Sequence, residues 1–186
     1  TNPVIRKRML MSLADDCASA AVHLKAKALP GQASQVILPM PHLKKGEVYA
    51  PNYPDGSVVS LVRYPHGGTF EIPTLTVNNR GKKSRHILGN ARDAIGIHPS
   101  VAERLSGADF DGDSVLVIPN KGKTKIRSTA PLKGLKGFEP KRTYPGYKGM
   151  KRMSDTQTQM GKVSNLITDM TLKGASADEL ARAVRH

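Results

Sequence analysis

Three aspartates stand at alternate positions in the stretch SGADFDGDSV (residues 106–115): Asp109, Asp111 and Asp113, with Gly112 between the last two. Carboxylates this close repel one another, and the cluster costs stability unless a cation or hydrogen bonds neutralise it. In an extended chain, residues at i, i+2 and i+4 point to one side. The three can therefore face one point, and Gly112 lets the backbone turn tightly enough for all of them to reach a single ion. Hard oxygen donors of this kind suit Mg²⁺. Carboxylate-held Mg²⁺ keeps positions open for phosphate oxygens, which is how phosphoryl and nucleotidyl transfer is commonly driven.

Other uses of the motif fit less well. An EF-hand loop starting at Asp109 would need Gly at its sixth position and an acid at its twelfth, where this chain has Ser114 and Asn120. A haloacid-dehalogenase-type phosphatase shares the Asp-x-Asp pattern of DFDGDS. Its aspartates follow an apolar strand, whereas VAERLSG precedes these. A plain Asp-Gly turn between strands accounts for one or two aspartates but not for three on one side.

The rest of the chain carries the opposite charge. Its 186 residues hold 29 Lys and Arg against 15 Asp and Glu, a net charge of +14. Such an excess points to a polyanionic partner, nucleic acid first. Apolar residues make up 38% of the chain, aromatics only 4%, and Trp is absent, so the core must be built from Val, Ile, Leu, Met and Ala. Cys17 is the only cysteine, which excludes an intramolecular disulfide and fits a reducing compartment. No apolar run approaches the ~20 residues that span a bilayer. TNPVIRKRML at the start lacks the apolar segment of a signal peptide. These features read as a soluble, cytoplasmic protein. The missing initial Met and the ending inside a helical pattern suggest a fragment of a longer chain.

The elements that must position the aspartates follow from periodicity. Residues 4–28 repeat apolar side chains at helical spacing (Ile5, Met9, Leu13, Cys17, Leu24) and predict a helix within 1–30. From 31 to 120 the pattern changes to short β-branched runs: QVILPM, GEVYA, SVVSLVRY, TFEIPTLTV, AIGIHP and SVLVIPN. Pro and Gly punctuate them. Six short strands with tight turns predict a small barrel and an α+β chain. Residues 119–152 hold eleven Lys or Arg against one acid, Glu139, with five glycines among them. This basic loop, taken as 121–153, is expected to be mobile and to contact phosphates, with Lys121, Lys123, Lys125 and Arg127 as the first candidates. Two helices are expected over 154–186. Ser154 with Gln157 and Ser176 with Glu179 form capping boxes, and Met160, Val163, Ile167 and Met170 form an apolar face.

The motif also resembles a known family. GADFDGD resembles the ADFDGD signature of the largest, catalytic subunit of multisubunit RNA polymerases. Its context, LSGADFDGDSVLVIP, is closer still to single-chain RNA polymerases of the RNA-silencing type and their phage relatives. IGIHPSVAERLSGADFDGD resembles the Pro-containing approach to the signature, VRYPHGG resembles the family's Arg-x-Pro strand, and QMGKVSNLITDM with ELARAVRH resembles its downstream helices. The resemblance covers roughly residues 58–186. It implies a six-stranded double-psi β-barrel, with Asp109, Asp111 and Asp113 as Mg²⁺ ligands and Arg63 near the incoming nucleotide. It also implies nucleoside triphosphates, template and RNA product as partners, and a second barrel supplying catalytic lysines. No second barrel is legible in the sequence, which makes this one half of an active site. A non-catalytic nucleic-acid-binding module and a metal-dependent phosphatase are the competing functions.

Overall fold

The computed structural model describes residues 31–64, 66–122, 125–138, 140–151 and 153–185. The helix expected over 4–28 lies outside the described residues. Each of the six β-branched runs contributes a strand: β1 (Ala33–Pro39), β2 (Glu47–Tyr49), β3 (Val58–Val62), β4 (Thr74–Val77), β5 (Ala94–Ile97) and β6 (Ser114–Pro119). They close into a barrel in the order β1-β5-β2-β4-β3-β6. Closure pairs the backbone of every strand on both sides and leaves no edge.

The connectivity has an internal symmetry. β1 and β5 are parallel, as are β2 and β4, and the other four pairings are antiparallel. Exchanging β1, β2 and β3 for β4, β5 and β6 swaps the two parallel pairings, swaps β1–β6 with β3–β4, and leaves the antiparallel pairings β2–β5 and β3–β6 as they are. This interleaved, pseudo-twofold arrangement is that of a double-psi barrel, and with the C-terminal helices the chain is α+β.

Inside the barrel, Ile37, Val48, Val59, Leu61, Leu75, Val77, Ile95, Ile97, Val115 and Val117 are buried in one cluster. Each such side chain contributes about 1.5–3 kcal/mol relative to leaving it in water. Tyr53 joins them and donates its hydroxyl to the carbonyl of Val117 at 3.2 Å, and burial pushes its pKa up to about 12.

TFEIPTLTV does not form one strand. Thr69–Glu71 makes a 3₁₀ turn, and β4 starts only after Pro73, which has no N–H to give to a ladder. Phe70 leaves the barrel and packs with Leu132, Ile167, Leu180 and Ala181 in a second cluster. Between β4 and β5 lies a helix that periodicity does not announce, α1 (Lys82–Leu88). Only Ser84 of it is buried, so it has no apolar face to read. α2 (Pro99–Ala102) follows β5, with His98 capping it by accepting from the backbone N–H of Ser100 at 3.2 Å.

The stretch expected as a mobile basic loop is partly built into the fold. Asn120 exchanges two hydrogen bonds with Ile126, Leu132 is buried in the second cluster, and α3 (Pro140–Thr143) makes one turn. The C-terminal helices are α4 (Thr156–Leu172) and α5 (Ala177–Arg185). The box at Ser176 and Glu179 forms reciprocally: the Ser176 N–H donates to the Glu179 carboxylate at 2.8 Å, and the Glu179 N–H to the Ser176 hydroxyl at 3.3 Å.

The box expected at Ser154 does not form. α4 starts two residues later with Asp155 as its cap residue, and the Asp155 carboxylate accepts instead from the Gln159 side chain at 2.9 Å. The predicted apolar face of α4 is only half used. Ile167 is buried and Met170 packs beside it, but Met160 and Val163 stay exposed. α4 docks where Gly67 leaves room: a Cβ there would stand 2.8 Å from Cγ2 of Ile167.

Candidate metal centre

Asp109, Asp111 and Asp113 lie on the loop that enters β6. Leu105, fully buried, anchors the start of the loop, and Ala108 and Phe110 pack against the barrel core. The apolar residues therefore turn inward and the aspartates outward. At the far end, the backbone carbonyl of Asp113 accepts from the N–H of Ile37 on β1 at 3.0 Å, which ties the loop to the barrel wall. Ligand atoms of the three carboxylates lie within 4.8 Å of one another.

The convergence has a different cause from the one expected. The loop is not extended: Phe110 has φ +67° and Gly112 φ +113°. A φ above zero is rare for any residue but Gly. Two such residues, each between a pair of aspartates, curl the chain so that the carboxylates gather at one side. Nothing lies within 4 Å of where a Cβ on Gly112 would be, so this glycine is required by its backbone angle and not by space. Backbone donors complete the turn. The Asp109 N–H donates to Oδ2 of Asp113 at 3.1 Å, and the Asp111 N–H to Oδ1 of Asp109 at 3.3 Å.

Arg63, directly after β3, reaches into this loop. Its Nε and Nη2 both donate to Oδ1 of Asp113, at 3.1 and 2.7 Å, and its Nη1 donates to the carbonyl of Ser106 at 2.8 Å. The two side chains are 25% and 15% exposed, so the pair is shielded from full solvent screening. The Arg63 guanidinium holds the Asp113 carboxyl below the usual carboxylate range. Asp111 moves the other way: a hydrogen bond with Asp109, and then the charge of Asp109, raise its carboxyl. Three carboxylates and one guanidinium leave two negative charges, which one divalent cation would balance. The donor set is all oxygen, the carboxylates of Asp109 and Asp111 are exposed, and one of them resists ionisation without a counter-charge. These residues fit a divalent metal.

Two residues that the sequence did not single out support Arg63. Ser106, at φ +50°, gives its carbonyl to Arg63 and its hydroxyl to Oε2 of Glu71 at 3.0 Å. Glu71 also accepts from the N–H of Gly67 at 2.6 Å. A chain of contacts thus runs Glu71–Ser106–Arg63–Asp113 and over-determines the strained Ser106 backbone. The signal in the sequence was slight: Ser before Gly, and an acid in a run otherwise read as strand. Glu71 also borders a cleft of about 520 Å³ lined by Lys45, Arg104, Lys133 and Lys136, among others; none of the three aspartates lines it.

Of the other candidates, Lys121, Lys125 and Arg127 are exposed beyond the end of β6, and Lys123 lies outside the described residues. Among the described residues, no helix is long and apolar enough to cross a membrane.

No protein-family model matches the chain, and no curated protein matches it in sequence. Among solved structures, the RNA-dependent RNA polymerase QDE-1 from Thielavia terrestris is similar at 17% identity and a TM-score of 0.40, over 83% of this chain and 16% of that one. A rationally designed protein, apDPBB_sym_79, is similar at 12% identity and a TM-score of 0.37, over 49% of this chain and all of that one. The chain thus spans about a sixth of the length of the polymerase.

Proposed function

We propose that this chain is the metal-binding catalytic barrel of an RNA polymerase, adding nucleotides to an RNA 3′ end with Mg²⁺ held by Asp109, Asp111 and Asp113. One observation carries the reading: three carboxylates converge on a single loop of a closed double-psi barrel, in a segment that reads ADFDGD. Bound there, Mg²⁺ supplies Lewis acidity toward the phosphate oxygens of an incoming nucleoside triphosphate.

The residues of the chain divide the remaining work. Asp109 and Asp111 present exposed oxygens, and Asp113 is held in place by Arg63. Three of the five N–H donors of Arg63 are committed to Asp113 and Ser106, which leaves two for a nucleotide oxygen. Lys121, Lys123, Lys125 and Arg127, at the start of the basic stretch 121–153, would hold the nucleic-acid backbone. The barrel unit is 31–120 and the helical unit 154–186. A second, lysine-bearing barrel completes the site, and a phage-type enzyme in the host cytoplasm is the setting the sequence resemblance supports.

The test is primer extension by the complete polypeptide that carries this segment. Asp111→Asn should abolish Mg²⁺-dependent nucleotide addition while leaving melting of the chain unimpaired. Extension at the wild-type rate would refute the assignment. Retained nucleic-acid binding by a wild-type protein that neither extends RNA nor binds Mg²⁺ would favour a non-catalytic module. Hydrolysis of simple phosphate esters would favour the phosphatase.

A further inference from the structure

We infer that Tyr144 and Tyr147 form a stacking platform for the bases of a single-stranded nucleic acid, with the lysines around them taking its phosphates. The inference rests on the nucleic-acid part of the reading above and not on the metal centre.

Aromatic side chains are scarce here. The chain has five Tyr, three Phe and no Trp. Most have an internal use. Tyr49 and Tyr53 are buried, and each donates its hydroxyl to a carbonyl, Tyr49 to Gly89 at 2.6 Å and Tyr53 to Val117 at 3.2 Å. Phe70 sits in the second cluster, Phe110 packs on the barrel core, and the Phe138 ring lies 5.3 Å from the guanidinium of Arg185. Tyr64 is exposed but tilts against His66 at 5.5 Å.

Tyr144 and Tyr147 are different. They are 59% and 72% exposed and belong to none of the apolar clusters among the described residues. Among the described residues neither hydroxyl has a hydrogen-bond partner. The fold gains little from either ring, yet the backbone holds both in defined turns. The Tyr144 N–H donates to the carbonyl of Pro140 at 2.8 Å, and the Tyr147 carbonyl accepts from the N–H of Met150 at 3.1 Å.

Their surroundings select the ligand. Lys141 and Arg142 precede Tyr144, and Lys148 and Lys151 follow Tyr147, with no acid between 140 and 151. All four cations are exposed. A polyanion is the complement of this charge, and exposed π faces add a requirement that a duplex cannot meet, because its base faces are hidden. Unpaired bases on an aromatic platform beside a basic track is the general design of single-strand binding.

The experiment uses the 186-residue chain with a short labelled oligouridylate and a duplex of equal length, read by fluorescence anisotropy. Tyr144→Ala and Tyr147→Ala should each weaken single-strand binding by about five- to 150-fold. Duplex affinity and the salt dependence should not change, because stacking releases no counterions. Tyr→Phe should restore binding. Lys148→Ala should instead flatten the log–log salt slope by about 0.7. With no Trp to mask it, tyrosine emission reports the contact directly, and RNA should quench the wild type more than the double variant. Because both rings are exposed, the melting temperature should be unaltered.

Wild-type single-strand affinity in the double alanine variant would overturn the platform while leaving nucleic-acid binding intact, as would equal losses on single strand and duplex. A variant that kept its affinity but changed its sedimentation would assign the surface to a second copy of the chain. Failure of the wild type to bind either nucleic acid would overturn the platform and the nucleic-acid reading together, without touching the metal centre.

Discussion

Arg63 grips Asp113 from the side: two of its nitrogens share one carboxylate oxygen, at 3.1 and 2.7 Å, while a third holds the carbonyl of Ser106 at 2.8 Å. The last residue of the aspartate triplet is thereby fixed to the end of β3, 50 positions away in the chain. A lysine carries the same charge but cannot fork. Arg63→Lys should lose the bond to Ser106 or the one to Asp113. Exposed pairs are worth about 0–1 kcal/mol and broken buried pairs about 3–5. This partly shielded pair should cost about 1–2 kcal/mol, a fall in melting temperature of roughly 2–8 °C for a chain of this size. Unchanged melting would mean that charge alone, and not the fork, holds the loop.

Asp111 gives a test of opposite sign. Its carboxyl is raised by Asp109, so the folded chain disfavours its ionised form. The resulting penalty is present above the raised value and absent in acid, where the group is protonated in folded and unfolded chains alike. Without divalent cations, Asp111→Asn should melt above the wild type at neutral pH, and the gain should vanish in acid. Added Mg²⁺ should stabilise the wild type more than the variant. A variant that melts below the wild type in chelator would show that the three carboxylates do not repel one another.

His66 predicts a second pH dependence. Burial lowers its pKa, partly countered by the charge of Glu71, and its Nδ1 is buried with no hydrogen-bond partner among the described residues. The unfolded chain therefore takes up the proton first, at the ordinary value of 6.5. Stability should fall as the pH drops below about 7 and level off once the folded form is also protonated. His66→Gln should remove this component of the pH slope between neutrality and the carboxylate range. Melting curves of the two proteins across that window decide it.

Gly96 on β5 faces Met40, which is fully buried. A Cβ at this position would lie 2.1 Å from its sulfur. Gly96→Ala should overpack the site and cost about 1–3 kcal/mol. Combining it with Met40→Ala should cost less than the two single changes added together, because the second makes room for the first. Strict additivity in urea denaturation would contradict the packing of Met40 on Gly96.

The basic stretch after β6 makes an electrostatic prediction. Replacing Lys121, Lys123, Lys125 and Arg127 together by Ala should weaken duplex binding for all sequences alike. The log–log salt slope should flatten by about 0.9 for each phosphate that the variant no longer neutralises. An unchanged slope, measured by titration at several salt concentrations, would make these residues a solvated linker.

The sequence by itself determined the strands and which carboxylates stand close enough in the chain to gather at one point. Short β-branched runs between Pro and Gly placed all six strands, because strand formation is written in local residue types. Asp109, Asp111 and Asp113 were legible for the same reason: their types and spacing are local. The fork from Arg63 was not, because that contact joins residues 50 apart and exists only once β3 and β6 lie side by side in the barrel. The same holds for the order of the ring, in which β1 meets β5 and β2 meets β4. No local pattern encodes which strands become neighbours. The loop itself shows the division most clearly. Alternation suggested that an extended chain would bring the carboxylates together, but left-handed backbone at Phe110 and Gly112 does so instead. That conformation is imposed from outside the loop, by Phe110 packing on the core and by Arg63, Ser106 and Glu71 holding its base. Tertiary structure also decided which half of α4 is covered. Ile167 meets Phe70 across Gly67, while Met160 and Val163, on the same predicted face, extend past the end of that cluster into solvent.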